Sequence, residues 1–476
     1  MSETLDKTAV SQEGFQADPY GDAINYLYGF INLEHKRVDR YMASKMDATR
    51  PGRLLTYFGS PHEGLPAIHI AGTKGKGSVA AMCAACLRAA GLKVGLYTSP
   101  HVQEFRERIR VLTPEDADGL ITEADFVAWV DKLKTAVPHF PGITWFEIVT
   151  AIAFLHFARQ QVDVAVIEVG LGGRLDATNV ITPLVSVITS LSLDHTYLLG
   201  DTIDKIAFEK GGIIKPGVPV VTAAQKPEAL AKLMEIAAER EAPLAVIGRN
   251  WHYVGEGRTA NGQARLTITQ TPDPDFIPPQ TTFTLSLVGE HQLENGAVAL
   301  AALQAVRHRF KGLGLTAVQT GLASTHWTGR LQILHQADHT PTLLVDCAHN
   351  VDSVTKLSHA LTHDFTYERL ILVFGATADK DVTGMIPHLF PLAATTIVTV
   401  SSHPRAASPS ELVLAANDLH LPVQTAPTVA AALTDAWQLA GANDLICVTG
   451  SIFIVGDLLN EWPKLEAQLL SNYVIT

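Results

Sequence analysis

Lys76 and Ser78 close the run Ile70-Ala71-Gly72-Thr73-Lys74-Gly75-Lys76-Gly77-Ser78, in which three glycines are interleaved with two lysines. Those residue types suit phosphate. Glycines let backbone N–H groups approach an anion, lysine adds charge, and a hydroxyl at a helix start can ligate a nucleotide-bound Mg²⁺. The apolar run 67–71 predicts a buried strand ahead of the turn. Residues 79–90 predict a helix after it, with Val79, Met82, Cys83, Cys86 and Leu87 on one face. Gly77 stands between Lys76 and Ser78, which departs from the strict Walker spacing, and a flexible surface turn is the competing reading.

Ligands of open α/β sheets sit at the carboxyl ends of strands, and three more candidates fall there. Glu168 lies in the last positions of the apolar run 162–169, where a P-loop enzyme carries its metal-linked acid. A buried carboxylate needs a cation, and either a metal or a base such as Arg174 would answer. His195 follows the apolar run 184–190 and reads equally as a metal ligand or a satisfied turn histidine. Asp346 and His349, in Asp346-Cys347-Ala348-His349-Asn350, follow a strand and precede a helix, where they could orient an amine or bind phosphate. Asp379-Lys380-Asp381, Pro404-Arg405 and Gly450-Ser451 occupy similar ends, so the second half of the chain is expected to supply part of an interdomain site. Arg106 and Arg108, in the basic cluster 105–110, read either as a grip on a carboxylate or phosphate or as a solvated, salt-bridged face. Lys210 and Lys215 flank Gly211-Gly212, and the residues alone assign them no more than a favourable place near a helix end.

The elements that must hold these groups follow from hydrophobic periodicity. Strands at 67–71, 93–98, 162–169, 184–190 and 218–223 alternate with helices at 122–137, 144–160 and 202–210, which predicts a doubly wound parallel sheet. Helices are expected between 24 and 55, a small β insertion at 265–270 and 282–288, and a long helix at 292–309. Alternation restarts at 342, with strands at 343–346, 370–375, 396–401 and 444–449 forming a second, smaller α/β domain. The expected division is a polar tail over 1–23, a first domain over 24–335 and a second over 342–476, joined at 336–341.

At 476 residues the chain is too long for one core, consistent with two domains. A formal charge of −12 argues against nucleic acid as a partner without excluding an anionic ligand in a basic cleft. Four cysteines make no disulfide framework and fit reduced thiols in the cytoplasm. Cys83 and Cys86 form a C-x-x-C inside a helix, where small buried residues are expected rather than a redox or metal pair. The amino terminus shows no signal-peptide pattern, and no apolar run approaches the roughly 20 residues that cross a membrane.

The blocks 72–78, 97–101 (Tyr-Thr-Ser-Pro-His), 168–179 (Glu-Val-Gly-Leu-Gly-Gly-Arg-Leu-Asp-Ala-Thr-Asn), 192–195, 209–217 and 346–350 resemble the folylpolyglutamate synthase/dihydrofolate synthase family of the Mur ligase superfamily. The resemblance runs from about 24 to 460. It implies an ATP-binding α/β domain joined to a smaller Rossmann-like domain. The implied reaction is phosphorylation of a carboxylate on folate or dihydropteroate, followed by attack of the L-glutamate amine on the acyl phosphate. By resemblance, Gly72, Thr73, Lys74, Gly75, Lys76, Gly77 and Ser78, with Asn295, Arg330 and Asp346, hold ATP. Ser78 and Glu168 serve Mg²⁺, and His195 a second Mg²⁺. Lys210 matches a lysine that the family carbamylates. His349 and Ser451 match glutamate-side residues. Ser99, Pro100 and His101 begin a folate-side loop, with Arg106 and Arg108 beside it. A monovalent cation and a monomeric state are also implied. Lys74 stands where the family usually has Asn, Cys347 where it usually has Gly, and Val351 where it usually has Pro. A Mur-type ligase for a nucleotide-linked cell-wall precursor and a P-loop ATPase module without ligase activity are the alternatives; block 168–179 favours the folate branch.

Overall fold

In a computed structural model, which describes residues 18–30, 47–259 and 263–471, the longest apolar runs become central strands buried on both faces. β1 (Ala67–Ala71) lies between β4 (Val164–Glu168) and β5 (Val185–Ile188), and every residue of the three is buried. Unbroken Val/Ile/Ala runs are what a strand covered by helices on both sides requires. With β2 (Val94–Tyr97), β3 (Ile109–Leu112), β6 (Val220–Thr222) and β7 (Leu244–Val246), the order is β3-β2-β4-β1-β5-β6-β7, and β3 alone runs antiparallel.

The helix after β1 spans Lys76–Ala89 and so begins earlier than its apolar face suggests. Its N-cap, Gly75, takes a left-handed φ of 88°, which lets Lys76 and Gly77 join the first turn. Cys83 and Cys86 are buried in the core of this helix, and burial pushes the Cys83 thiol up to about 12. Helix Leu315–Ser324 crosses it so closely that a Cβ on Gly321 would lie 2.4 Å from the Cys86 Cα.

The β insertion has three antiparallel strands, β8 (His252–Arg258), β9 (Ala264–Gln270) and β10 (Thr281–Leu285), where the sequence suggested two. β8 escaped notice because Gly255, Glu256 and Gly257 dilute its alternation on an exposed edge. Helix His291–Val306 packs beneath this sheet and ends in a 3₁₀ turn, Arg307–Arg309.

The second sheet has the order β11-β12-β16-β13-β14-β15, from β11 (Gln332–His335), β12 (Thr342–Val345), β13 (Leu370–Phe374), β14 (Thr395–Val398), β15 (Gln424–Thr425) and β16 (Leu445–Thr449). β11 pairs antiparallel with β12, so residues 332–335, assigned by sequence to the first domain, belong to the second. At the other end, Pro19–Tyr28 is helical, capped by Asp18 through Gly21 N–H, and buries Ala23 and Leu27. That helix takes part of the expected tail 1–23 into the fold; the remainder lies outside the described residues. The helices expected over 24–55 appear as the end of this one and the start of Arg50–Tyr57, and residues 31–46 lie outside the description. Among the described residues no helix is long and apolar enough to cross a membrane.

Gly321→Ala is expected to destabilise the protein by about 1–3 kcal/mol through overpacking, read as a lowered thermal midpoint. Gly52→Ala, where a Cβ would meet only Val180 at 3.9 Å, serves as the control. Equal midpoints for the two variants would show that the helices part freely.

Candidate active site

The carboxyl ends of the two sheets face one cavity of about 940 Å³. On the first side stands the turn after β1. Thr73 and Lys74 donate their N–H groups to Ser190 O at 3.0 and 3.3 Å, and Thr73 Oγ1 donates to Ser192 O, so the turn is fastened to the segment after β5. Asn295 presses on Gly75 from helix His291–Val306: a Cβ on Gly75 would lie 2.3 Å from Asn295 Oδ1. Asn295 in turn donates to Gln292 Oε1 at 2.9 Å, and Gln292 Nε2 reaches Ser78 Oγ at 3.4 Å. The first turn of that helix therefore sets both the glycine and the hydroxyl of the phosphate turn.

Glu168, at the end of β4, is 3% exposed and accepts from Ser99 N–H at 3.2 Å. Its nearest cation is Lys76 Nζ at 3.9 Å. Arg174, the alternative partner, instead pairs with Glu209 at 2.9 Å. Burial raises the Glu168 pKa against the opposing charges of Lys76, Arg330 and Arg108. A carboxylate this deep with no close ammonium offers oxygen donors for a cation. His195 follows β5 in a left-handed conformation, half-exposed on the cavity wall, with Nε2 3.9 Å from Asp194 Oδ1.

From the second domain, Asp346 follows β12 and accepts from Leu331 N–H and Ala348 N–H, both at 2.9 Å. Burial raises its pKa while Arg330 opposes the shift. Arg330 lines the cavity beside it and donates to Gly329 O. Cys347 fits here because its neighbour is Gly329, whose Cβ would lie 2.5 Å from the thiol sulfur. Val351 opens helix Val351–His363, capped by Asn350 through Ser353 N–H. Burial, then the charge of Lys74, hold His349 down to about 3. His349 is therefore neutral, and its Nδ1 carries the proton donated to Cys347 O at 2.8 Å, which leaves Nε2 as an acceptor. Ser451 also reaches the wall, with Oγ accepting from Phe453 N–H at 3.1 Å.

Three expected residues stand off the wall. Arg106 turns to Glu104 at 2.7 Å on the far side of the 3₁₀ turn Phe105–Arg108. Gly72 lies behind the turn, and Lys210, 5% exposed, donates from Nζ to Gly72 O at 2.9 Å. Burial, then Lys76, bring Lys210 down to about 7. The others gather: Ser99, Pro100, His101 and Arg108 line the cavity, and Arg108 Nε donates to His101 Nδ1 at 2.9 Å while its guanidinium lies 4.8 Å from the Trp145 ring.

Several wall residues were not anticipated. Arg50 pairs with Glu147 at 3.0 Å, both side chains nearly buried, beside Tyr28, Trp145 and Phe146. Thr144 and Glu147 form a capping box legible in sequence, but that signal marks a helix start and says nothing of Arg50, which lies 97 residues away.

Residues 70–303 match the Mur ligase middle domain, and residues 329–452 match the Mur ligase, glutamate ligase domain. The chain is 32% identical over 450 residues to the dihydrofolate synthase/folylpolyglutamate synthase of Bacillus subtilis, covering 92% of this chain and 98% of that protein. It is 33% identical over 453 residues to a probable bifunctional folylpolyglutamate synthase/dihydropteroate synthase of Haloferax volcanii, covering 94% of this chain but only 51% of that protein. The chain thus spans about half the length of the haloarchaeal relative and nearly all of the bacterial one. The structure of E. coli FolC in complex with DHPP and ADP superposes with a TM-score of 0.79 at 28% identity, covering 94% of this chain and 99% of that one.

Gly75→Ala is expected to weaken ADP binding at least about tenfold, since an alanine there meets both a left-handed φ and Asn295. Calorimetric titration with ADP measures it, and circular dichroism checks that the fold persists. Unaltered affinity would move the phosphates away from this turn.

Proposed function

We propose that this chain, which belongs to the folylpolyglutamate synthase/dihydrofolate synthase family of Mur ligases, is an ATP-dependent ligase joining the L-glutamate amine to a carboxylate of reduced folate and of dihydropteroate. One observation carries the reading: a single cavity is walled by the phosphate turn and Glu168 on one side and by Asp346, His349 and Ser451 on the other. ATP is assigned to the phosphate turn of the first domain, with Arg330 and Asp346 reaching it from the second, glutamate to the second domain, and the pterin-bearing substrate to the mouth framed by Arg50, Arg108, Trp145 and Phe146.

The residues divide the work. Backbone N–H groups of the turn and the first turn of helix Lys76–Ala89 cradle the phosphates, and Lys76 offsets their charge. Asn295, Arg330 and Asp346 hold the rest of the nucleotide. The γ-phosphoryl passes to the substrate carboxylate; the amine then attacks the acyl carbon, and phosphate leaves. Closing the cavity between two domains orients the amine and excludes water, which would otherwise consume the acyl phosphate. Arg108, fixed by His101 and Trp145, offers a guanidinium to a carboxylate of the pterin-bearing substrate.

Ser78 Oγ and Glu168 are hard oxygen donors, a set that suits Mg²⁺ shared with phosphate oxygens, and His195 is the residue for a second ion. Bound Mg²⁺ would neutralise charge on the transferring phosphoryl. The four buried free cysteines support a cytoplasmic setting, and small molecules and a monomeric state complete the reading.

The test is product mass after incubation with ATP, Mg²⁺ and L-glutamate, with dihydropteroate and a reduced folate in parallel. One added glutamyl unit is expected with each. Lys76→Ala is expected to lower both rates by about 10²–10³-fold. ATP turnover without amide product from either substrate would overturn the reading.

Lys210 is assigned to carbamylation: its neutral amine attacks CO₂, an N–C bond forms, and a proton is lost to solvent. With a pKa of about 7, the neutral fraction grows as pH rises through 7. A ¹³C-bicarbonate NMR carbamate signal is therefore expected to increase between pH 6 and 8 and to be absent in Lys210→Arg. A signal that persists in the variant would remove the assignment.

A further inference from the structure

The turn after β1 carries a second lysine whose place in the fold differs from that of Lys76. β1 lies between β4 and β5, and the two lysines lean to opposite sides of its end. Lys76 approaches Glu168 at the end of β4, with Nζ 3.9 Å away. Lys74 crosses to the segment after β5, where Nζ donates to Asp194 Oδ2 at 3.3 Å. Both line the cavity.

The Lys74 side chain is 18% exposed, and its one hydrogen bond among the described residues is to Asp194. An ammonium has three donors, so two remain for a ligand. Asp194 fixes the lysine through one of these donors. Asp352, in the first turn of helix Val351–His363, lines the same cavity and acts on the Lys74 charge, and that charge acts on His349.

Resting on the ligase reading above, we propose that Lys74 is a catalytic cation for amide formation, binding the phosphate of the acyl phosphate as it departs. In that step the amine lone pair forms a C–N bond at the acyl carbon. The C–O bond to phosphate breaks and its electron pair leaves on the phosphate oxygen, which takes up the proton shed by the amine. Negative charge grows on the departing phosphate, where a preorganised ammonium stabilises it. Asp194 is a positioning residue that keeps the ammonium extended across the strand end.

The two halves of the reaction can be measured apart. Enzyme, ATP, Mg²⁺ and reduced folate are mixed without glutamate, quenched with denaturant, and the acyl phosphate is trapped as a hydroxamate. Amide formation is followed in parallel after adding glutamate. Lys74→Met, in the turn assigned to ATP, is expected to lose some hydroxamate yield, while kcat for amide formation falls about 10²-fold, well beyond that loss. Lys74→Arg, which keeps the charge, is expected to recover most of that loss, and Asp194→Asn to show a smaller loss of the same kind. Amide formation at the original kcat in Lys74→Met would overturn the proposal. So would a parallel fall in hydroxamate and amide with a raised KM for ATP, which would make Lys74 a nucleotide contact. Absence of hydroxamate and of glutamylated product from the unaltered protein would overturn the ligase reading itself, and with it the step proposed here.

Discussion

The constraint on which the rest depends is the burial of ionised groups around the end of β1. Glu168 and Lys210 are 3% and 5% exposed, Asp346 is half-buried, and Lys74 and Lys76 are mostly covered. Taking charges out of water is costly unless opposite charges and hydrogen bonds replace the solvent. Here replacement is only partial. Backbone N–H groups serve Asp346, Ser99 N–H serves Glu168, and Asp194 serves Lys74, while Lys76 Nζ stays 3.9 Å from Glu168. That unfinished pairing leaves room for phosphate and a cation between them.

Holding such groups apart needs rigid supports, and the parallel sheet provides them. β1, β4 and β5 are buried along their whole length, so their carboxyl ends are fixed in space and the turns that leave them inherit that precision. Hydrogen bonds from the phosphate turn to Ser190 and Ser192, and the docking of Asn295 against Gly75, tie three separate segments into one cradle. Gly75 is required twice, for its left-handed φ and for the space that Asn295 occupies.

The second sheet completes what the first cannot supply. Its strand ends bring Asp346, His349, Lys380, Arg405 and Ser451 to the same cavity, so groups from both domains surround one space. Cys347 shows how local the adjustments can be: a bulkier residue in the second-domain loop is absorbed because Gly329 offers no side chain opposite it.

The sequence by itself determined the elements and the chemistry that sits on them. Buried strands are apolar runs, turns need glycine, and a lysine and hydroxyl at a strand–helix junction follow local rules, so Lys76, Ser78, Glu168, His195, Asp346 and His349 could be named from their own neighbourhoods. Strands β3, β7, β8, β11 and β15 were missed, because edge strands carry little hydrophobic pattern. Tertiary structure alone decided direction and partnership. It turned Arg106 outward to Glu104 and Arg108 inward to Trp145, though only Glu107 separates them in one basic cluster. It sent Arg174 to Glu209 rather than Glu168, joined Arg50 to Glu147 across 97 positions, and placed Lys210 behind the turn instead of on the wall. These outcomes depend on which strand ends and helix faces meet when the core closes, and the ion pairs of a buried cavity are settled by that geometry, which local residue types do not encode.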